Sequence, residues 1–462
     1  MSISFFTQAY ASKREAILSD FFTFLQFPSV SSEPEYHPGL QSCLDWLKGY
    51  IAKMPFHIEV WPTEGHPVLF ASYTKAGPDK PTLLIYNHYD VQPVDPLDEW
   101  HSPPFKPTLR DGQVYARGAQ DNKGQCFFVL QALKALFERH QQLPVNIKLC
   151  IEGEEEIGSP GLSKVIEQKK EELKADYLLV VDVGINSLEE PAVCLGVRGI
   201  VTLDVTCQGS ETDMHSGSNG GIVYNPIHAL VEILSKLRDA KGAITIPHFY
   251  DEVTTQTEEQ LKTYEMHFNP AQYRKELGAE PTGGEEGLSP LERAWLRPTV
   301  EINGITGGYT GQGFKTVIPA LASAKISCRL VPDQDPYITG KRVCDFLISQ
   351  APPGVKVSAK ILPGVGTAVR ADPLSPLVKA FTESYTEVFG RSCARILGGG
   401  SIPITAKLQQ ATGAQVLLIG LGLPGDRIHA PNEHFGLDRL EKGYLIVARA
   451  IERLGEITRG GN

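Results

Sequence analysis

Four glutamates lie within the five residues from Glu152 to Glu156, directly after the apolar run 145–151 and just before Gly158 and Ser159. Carboxylates this close raise one another's pKa unless a cation lies among them. Divalent metal ions bind carboxylate oxygens and cancel the repulsion, so this run is a candidate metal-binding segment. A solvated acidic loop is the alternative, and it is the better interpretation of a glutamate run alone. Four other stretches of the chain reverse that preference.

A histidine and an aspartate follow a second apolar run. Residues 81–87 are predicted to form a buried strand, and His88 and Asp90 come at its carboxyl end, where ligands bind in open α/β sheets. A histidine in this position is more often structural. The spacing favours a metal site, because an Asp two residues after a metal-bound His can accept the other ring N–H and orient the ligand. We therefore expect His88 to bind metal and Asp90 to orient it.

Two aspartates occupy comparable positions. Asp121 precedes a helix predicted at residues 123–138, and Asp182 follows an apolar strand predicted at residues 177–181. Asp is a common helix N-cap, so Asp121 either caps the helix or faces a metal, and the sequence leaves both open. Asp182 adds a second carboxylate at the end of a strand. We expect the ends of these strands to meet in one crevice.

Length and composition are those of an ordinary globular protein. The chain has 462 residues, which predicts two domains. Its formal net charge is -10, and no basic cluster occurs, so we expect neither nucleic acid nor a membrane among its partners. The N-terminus lacks the pattern of a signal peptide, and no run of about 18 apolar residues occurs. The eight cysteines are scattered without a C-x-x-C pair, which favours reduced thiols and a cytoplasmic protein.

The order of predicted elements indicates an α/β fold with a second unit inserted into it. Strands and helices alternate over residues 1–197, and this pattern resumes at residues 372–462. Residues 198–371 begin with a strand of period two, which is typical of a sheet with one open face. We predict an α/β catalytic domain with a central mixed sheet, formed by the two outer segments, and an inserted α+β domain between them.

Five motifs occur in order along essentially the whole chain. They are His88-x-Asp90-Val91-Gln92-Pro93, Gly118-x-x-Asp121-Asn122-Lys123-Gly124, Glu152-Gly153-x-Glu155-Glu156-x-Gly158-Ser159, Asp182 and His429-x-Pro431-Asn432-Glu433. Any one of these motifs is weak support for a family. Together, and in this order, they resemble the dinuclear zinc hydrolases that include carnosinase-like dipeptidases, aminoacylases and succinyl-diaminopimelate desuccinylases.

The resemblance implies a role for each of these residues. The implied metal ligands are His88 and Asp182 for one ion, Glu156 and His429 for the other, and Asp121 as the bridge between them. The peptide bond from Asp121 to Asn122 would be cis. Alignment on the residues that flank the glutamate run selects Glu155 as the general base. Two adjacent divalent ions lower the pKa of a water molecule and polarise a carbonyl, and a neighbouring free carboxylate can accept the water's proton.

In this family the inserted domain is a lid that also forms the homodimer. The histidine of its D-x-H-S-G motif corresponds to His215, which in relatives reaches the partner subunit's site and stabilises the oxyanion; the alternative is a hydrogen-bonded turn histidine. Arg329 corresponds to the arginine that clamps a substrate carboxylate, a task that suits a bidentate guanidinium; the alternative is a surface salt bridge. Ser401, in the loop at residues 398–401, is the side chain there expected to contact substrate.

The substrate class follows from Asp182. In this family, Asp at that position accompanies dipeptidase or aminopeptidase activity, whereas Glu accompanies carboxypeptidases, aminoacylases and desuccinylases. We therefore expect a dipeptidase with two divalent ions, zinc or else manganese or cobalt. A deacylase of N-acyl or N-succinyl amino acids is the alternative within the same fold. A catalytically inactive, dimeric binding protein is the third possibility, and the intact ligand set argues against it.

Overall fold

The computed structural model describes residues 3–457 and divides the chain into two compact units. The first unit comprises Met1–Gly196, Arg370–Ile396 and Lys407–Asn462, and the second comprises Val197–Val369 and Leu397–Ala406. The predicted inserted domain, 198–371, covers most of the second unit. One segment differs from the prediction, because residues 397–406 group with the second unit. Within that unit the carbonyl groups of Gly399 and Gly400 accept hydrogen bonds from Arg198.

Thirteen α-helices lie within the described residues. They are α1 (Ser4–Leu25), α2 (His37–Ile51), α3 (Lys123–His140), α4 (Pro160–Gln168), α5 (Lys170–Leu173), α6 (Ser216–Asn219), α7 (Pro226–Ser235), α8 (Glu258–Leu261), α9 (Pro270–Leu277), α10 (Pro336–Ser349), α11 (Pro376–Phe389), α12 (Pro403–Thr412) and α13 (Leu437–Gly455).

The same part of the chain contains eighteen strands. They are β1 (His57–Trp61), β2 (Val68–Tyr73), β3 (Thr82–His88), β4 (Thr108–Arg110), β5 (Gln113–Tyr115), β6 (Asn146–Glu152), β7 (Tyr177–Val181), β8 (Ala192–Val197), β9 (Gly199–Gln208), β10 (Met214–His215), β11 (Thr299–Gly307), β12 (Val317–Ile318), β13 (Leu321–Leu330), β14 (Lys356–Ile361), β15 (Val369–Arg370), β16 (Ala394–Gly398), β17 (Gln415–Ile419) and β18 (His434–Gly436).

The first unit is built on a mixed sheet whose central strands are buried. The strands run in the order β1-β2-β6-β3-β7-β17-β8. Strand β3 pairs in parallel with β6 and β7, and β17 pairs in parallel with β7, whereas the outer pairs are antiparallel. Every residue of β3 and β7 is buried, as expected for strands covered on both faces. The predicted α/β fold with a central mixed sheet is confirmed.

Parallel pairing in this sheet determines where the chemically active residues lie. The carboxyl ends of β3, β6 and β7 are at the same edge, and the register pairs His88 directly with Glu152. Helix α3 begins close to this edge and packs on the sheet's face, where Phe127 stacks on Phe21 of α1 with their ring centroids 5.3 Å apart. The edge is therefore held in place by a buried core rather than by flexible loops.

The second unit is an antiparallel sheet with helices on one face. Its strands run in the order β11-β13-β9-β14, and α7 and α10 pack against it. Burial alternates along β9 and β13, because successive side chains point to opposite faces. Arg329 lies between Cys328 and Leu330, which are both fully buried in the core, so its side chain is on the face opposite the helices. The predicted α+β character of the insertion is confirmed.

Two features complete the description of the fold. The polar stretch 242–298 contains the short helices α8 and α9. Between residues 3 and 457 no helix combines the length and apolar character needed to cross a bilayer. Met1 and Ser2, which begin the N-terminus predicted to carry no leader, lie outside the described residues.

Candidate metal centre

Two groups of possible metal ligands share one aspartate in the first unit. The first ligand group consists of His88, Asp121 and Asp182, and the second ligand group consists of Asp121, Glu156 and His429. Within each group the candidate ligand atoms all lie within 4.8 Å of one another. The structure therefore brings together all five residues that the sequence singled out as ligands.

The first ligand group lies at the carboxyl ends of β3 and β7 and is largely shielded from solvent. His88 Nε2 lies 3.2 Å from Asp121 Oδ1 and 3.5 Å from Asp182 Oδ1, and the His88 side chain is fully buried. Asn122 Nδ2 donates a hydrogen bond to Asp182 Oδ1 at 2.8 Å. This amide fixes the Asp182 carboxylate without neutralising its charge.

The second ligand group is built from loops. Glu156 lies in the short turn after β6, and His429 lies in the loop between β17 and β18. His429 Nε2 is 3.0 Å from Asp121 Oδ2 and 3.3 Å from Glu156 Oε2, and the His429 side chain is 52% exposed. Gln92 Nε2 donates to Glu156 Oε2 at 2.7 Å. The second group is therefore open to solvent on the side of its histidine.

Asp121 faces both histidines and does not cap α3. The helix begins at Lys123, and its N-cap residue is Asn122, whose side chain makes no capping hydrogen bond. One carboxylate oxygen of Asp121 lies near His88 and the other near His429. Of the two interpretations that the sequence left open, the helix cap is excluded. The predicted cis peptide bond between Asp121 and Asn122 is present.

Asp90 contacts both His88 and the glutamate turn. Its Oδ1 lies 3.3 Å from His88 Nδ1, and its backbone oxygen is slightly closer at 3.1 Å. Its carboxylate also accepts the backbone N–H groups of Glu155 at 3.2 Å and Glu156 at 3.1 Å. An acceptor at Nδ1 leaves Nε2 available as the ligand atom. Asp90 thus orients the imidazole, chiefly through its backbone oxygen, and its buried carboxylate fixes the turn that carries the two glutamates.

Glu154 faces away from the ligands. Its Oε1 accepts the backbone N–H of His66 at 3.1 Å, and its Oε2 accepts that of Gly161 at 2.8 Å. Only 3% of the residue is exposed, and it belongs to neither ligand group. Of the three consecutive glutamates, the two that the alignment selected are those at the ligand cluster.

Three residues contact the ligands or their loop in ways that the sequence did not predict. Gln92 and Asn122 each donate to one ligand carboxylate, and Glu433 accepts the backbone N–H of Asp121. All three stand inside the quoted motifs. Membership of a motif was the only available signal, because the contacts join residues far apart in the chain.

The carboxylates of this cluster are buried close to one another, and too little positive charge lies among them to offset their repulsion. Burial and the neighbouring Asp121 raise the pKa of Glu156 to about 10. Glu156 Oε1 is buried and has no hydrogen-bond partner among the described residues. Burial alone would lower the pKa of His88, but Asp182 and Asp121 raise it well above its ordinary value. A bound cation would supply the missing charge and a partner for that oxygen, and three carboxylates with two imidazoles suit two divalent ions such as zinc.

Glu155 lies beside the ligands without belonging to either group. Burial raises its pKa to about 8; His88 opposes this shift, and the charges of Asp182 and Asp121 add to it. Cations bound at the two ligand groups would lower this pKa again and leave the carboxylate able to accept a proton. The position of Glu155, close to the ligands but in neither group, suits a general base.

A pocket of about 300 Å³ opens beside Asp121 and Asp182. Its other lining residues are uncharged and include Gln120, Val183, Ile185, Asn186, Leu423 and Ile428. Pockets of this size accept small molecules. The first unit therefore has room for a small, uncharged group next to the first ligand group.

Arg329 and Ser401 contact each other in the second unit. Arg329 Nη1 donates to Ser401 Oγ at 2.9 Å. Among the described residues no carboxylate lies within ion-pair distance of Arg329, so the surface salt bridge that was the alternative is not formed. Burial lowers the pKa of its guanidinium, although the group remains a cation at any physiological pH. Its charge is available to an anion.

His215 is an exposed residue at the end of β10. The backbone N–H of Gly217 donates to its Nδ1 at 3.0 Å, which is the turn-histidine geometry considered as the alternative. In a neutral ring with Nδ1 accepting, the proton is on Nε2. The turn contact therefore leaves a proton on Nε2, whose hydrogen-bond partner in this structure is Thr316 Oγ1 at 3.5 Å, so the two interpretations are compatible.

Comparisons with known proteins connect this geometry to one family. The model of peptidase family M20/M25/M40 matches residues 84–453. The Cys-Gly metallodipeptidase dug1 of Schizosaccharomyces pombe is 28% identical and aligns over 99% of each chain. The human Beta-Ala-His dipeptidase is 35% identical over 79% of this chain and 73% of its own. The crystal structure of the metallo-carboxypeptidase Sso-CP2 of Sulfolobus solfataricus superposes with a TM-score of 0.83 at 33% identity, over 96% of this chain and 99% of the other. The chain belongs to the peptidase family M20/M25/M40.

Proposed function

We propose that this protein is a metal-dependent dipeptidase that hydrolyses short peptides with a free amino group. The observation that supports this most directly is the sharing of Asp121 by two ligand groups, with Glu155 beside them. Family membership makes the chain a metal-dependent peptide-bond hydrolase. The relatives named above include two dipeptidases.

We assign the five ligands by group. His88 and Asp182 would hold one ion, Glu156 and His429 would hold the other, and Asp121 would serve both. When bound, the two ions supply Lewis-acid chemistry, lowering the pKa of water and polarising the substrate carbonyl. The identity of the metal follows from availability as much as from the ligands, and zinc is our first choice because it accepts imidazole and carboxylate together.

Glu155 carries the proton in this proposal. Its carboxylate accepts a proton from the attacking water and delivers it to the nitrogen of the leaving amine, which a residue that is not itself a ligand can do. Asp90 supports this step indirectly, because it fixes the backbone of the turn that carries Glu155.

We assign Arg329, Ser401 and His215 to the remainder of the substrate. The guanidinium of Arg329, together with the hydroxyl of Ser401, binds the carboxylate at the peptide's C-terminus by charge-assisted hydrogen bonds. His215 donates from Nε2 to the carbonyl oxygen on which negative charge develops. The absence of a competing acid at Arg329 among the described residues supports its part of this assignment.

Substrate discrimination tests the proposal. The protein is stripped with a chelator, restored with zinc or manganese, and assayed on Cys-Gly, β-Ala-His and other free dipeptides beside the same peptides carrying N-acetyl or N-succinyl groups. We expect metal-dependent cleavage of the free dipeptides. Glu155→Gln should remove this activity, and Glu154→Gln, at the neighbouring carboxylate, should retain it.

The other outcomes are also informative. Cleavage of the blocked compounds alone would replace the dipeptidase with a deacylase. Absence of metal-dependent cleavage in both sets would contradict hydrolysis and favour the inactive binding protein.

We also propose that the protein is a homodimer formed through the second unit. Strand β11 is an edge of the antiparallel sheet, and edge strands present unpaired backbone groups to other chains. Ile302 and Ile305 on this strand and Val231 on α7 are 42%, 57% and 53% exposed and line one apolar pocket. Sedimentation velocity should give a dimer for the wild type and a monomer for Ile305→Lys. The control Leu97→Lys alters an exposed leucine of the first unit and should leave the dimer intact.

A cytoplasmic location is the last part of the proposal. All eight cysteines are free, and seven of them are buried, which suits a reducing compartment. Fractionation of cells that express the tagged chain should recover it with cytoplasmic markers, and recovery with secreted proteins would contradict the assignment.

A further inference from the structure

A short segment at the end of the first unit provides both a ligand and a second, buried carboxylate. His429 faces Asp121 and Glu156, and four residues later Glu433 is fully buried. Glu433 belongs to neither ligand group. No metal contact therefore explains why a charged side chain is buried there.

The carboxylate of Glu433 is saturated by the loop that carries Asp121. Its Oε1 accepts the backbone N–H groups of Gln120 and Asp121, both at 3.0 Å. Its Oε2 accepts the backbone N–H of Gly118 and the guanidinium Nη1 of Arg117, both at 2.8 Å. Four donors occupy the four lone-pair sites that a carboxylate offers.

Arg117 makes this buried charge tolerable. The side chains of Arg117 and Glu433 are each 1% exposed, and they form an ion pair. Arg117 Nη2 donates to the backbone oxygen of Pro93 at 2.8 Å. Further hydrogen bonds stabilise a buried ion pair against desolvation, and of the side-chain N and O atoms of this pair only Arg117 Nε has no partner among the described residues. These contacts join the segment that carries His429 to the loop that carries Asp121.

We propose that Glu433 is a positioning residue that aims Asp121 between the two histidines and so couples the two metal positions. The proposal rests on the ligand assignment made under the proposed function. The backbone N–H that Glu433 accepts belongs to Asp121 itself, so the hydrogen bond fixes the peptide group from which that side chain starts. Metal–ligand distances tolerate changes of only about 0.2 Å, and Asp121 is the one residue that both ligand groups contain.

Glu433 differs from the other residues that contact the ligands, because the ligand that it contacts is the one that both groups share. Within the described residues, the only ligand to which Gln92 donates is Glu156, and the only ligand carboxylate to which Asn122 donates is that of Asp182, so the loss of either should weaken one position. Glu433 acts on the shared ligand, so its loss should weaken both. A buried ion pair with a merely structural role would instead lower the stability of the fold and leave the binding of metal by the folded protein unchanged.

The test measures metal binding without any peptide substrate. Metal-free wild type, Glu433→Gln, Arg117→Lys and Glu452→Gln are titrated with Co²⁺ and with Zn²⁺ against a chromophoric chelator. The Co²⁺ absorption spectrum and the thermal unfolding of each metal-free protein are also recorded. Glu452 is the matched control, because it is a buried glutamate that pairs with Arg449 and His140 and takes no part in the ligand groups.

We expect Glu433→Gln to bind both ions about 10 to 100 times more weakly, the range found for partners that orient metal ligands, with a changed spectrum for both equivalents of Co²⁺. The amide that replaces the carboxylate would point N–H donors at backbone N–H groups of the loop that carries Asp121, and two donors cannot form a hydrogen bond. Arg117→Lys keeps a cation and leaves the contacts of Glu433 with Gln120 and Asp121 available, so its metal affinities should fall less. Glu452→Gln should lower the unfolding temperature and leave the affinities and the spectrum unchanged.

Three results would overturn the inference. The first is a Glu433→Gln protein that unfolds earlier but binds two ions with the affinity and spectrum of the wild type. The second is a loss confined to one ion. The third is a wild type that binds fewer than two ions, which would also remove the basis of the proposed function. If the wild type binds two ions, Glu433→Gln loses both, and no peptide is cleaved, the proposed function fails and the positioning role stands.

Discussion

The two ligand groups differ in how they are held and in how far they are open to solvent. The first has a fully buried histidine at the end of a central strand, and the second has a histidine that is 52% exposed in a loop. A metal ion leaves a site more easily when its ligands can move and water can reach it. We therefore expect the ion of the second group to be the first one lost to a chelator. A shared carboxylate can therefore join two metal positions whose other ligands differ in rigidity.

Replacement of the shared ligand should have the largest effect. Asp121→Ala removes the one residue common to both groups, so we expect neither ion to be retained and hydrolysis to fall to background. Metal analysis after gel filtration measures the first effect and a dipeptide assay the second. Retention of one tightly bound ion would contradict the sharing, and a wild-type far-ultraviolet circular dichroism spectrum would exclude misfolding.

Glu155→Gln should have the next largest effect, and it should lower kcat without changing the metal content. Glu155 belongs to neither ligand group, so both ions should remain while kcat falls by about 10² to 10⁴, the range for removal of a general base. Metal content and steady-state kinetics measured on the same sample check this. A variant that loses metal would place Glu155 among the ligands instead.

Variants that lack one of the two histidines test directly whether the two ligand groups bind metal with unequal affinity. His429→Ala should lower the metal content from two equivalents to one, because the first group remains complete on β3 and β7. His88→Ala opens the buried position, whose neighbours Asp121 and Asp182 are left facing each other without a cation between them, and it should cost more affinity in total. Stoichiometry by mass spectrometry under native conditions decides the order, and equal losses would remove the distinction.

Replacing either of the two amide donors should have a smaller effect, and each replacement should affect only one ion. Gln92→Ala removes the donor to Glu156, and Asn122→Ala removes the donor to Asp182. Each should weaken one ion by about 10 to 100 times and leave the other unchanged. Competition with a chelator resolves the two dissociation constants. If both variants weakened the same ion, the division into two groups would be wrong.

Glu154→Gln should have the smallest effect on function. Glu154 holds two backbone N–H groups away from the ligands, and the amide can satisfy only one of them fully. We expect the free energy of unfolding to fall by about 1–3 kcal/mol, with metal content and kcat unchanged. Denaturant unfolding and the dipeptide assay measure these quantities. A loss of metal would show that the glutamate run is used differently from the assignment made here.

The sequence predicted the elements of the site because apolar runs and strand ends leave strong patterns. Short apolar runs predict strands at residues 57–61, 68–73 and 177–181, and β1, β2 and β7 have these bounds, since each run lies between clear breaks. Apolar residues at helical spacing predict a helix at residues 11–27, whereas α1 begins at Ser4, because Phe6 and Tyr10 are buried against the rest of the unit.

Other features left no such pattern. The sequence predicts one helix at about residues 161–173, but the structure has two, α4 and α5, with Lys169 between them. The three-residue strands β4, β5 and β18 are too short for a period to be visible. The contacts of Glu433 join residues more than 300 positions apart, and a hydrogen bond to a backbone amide places no demand on the partner's side chain. The role of such a residue can be found only from the folded structure.

The order of strands in the first unit also has a consequence for biosynthesis. Strand β17 lies between β7 and β8, although more than 200 residues separate β8 from β17 in the chain. While the ribosome is still making the inserted unit, the edges of β7 and β8 that will receive β17 are unpaired, and exposed edges invite wrong pairing. The first ligand group is encoded before the insertion, and His429 and Glu433 are encoded after it. The nascent chain therefore cannot assemble the complete centre until the segment that carries His429 and Glu433 has been translated, and hydrolytic capacity arises only after the inserted unit has been made.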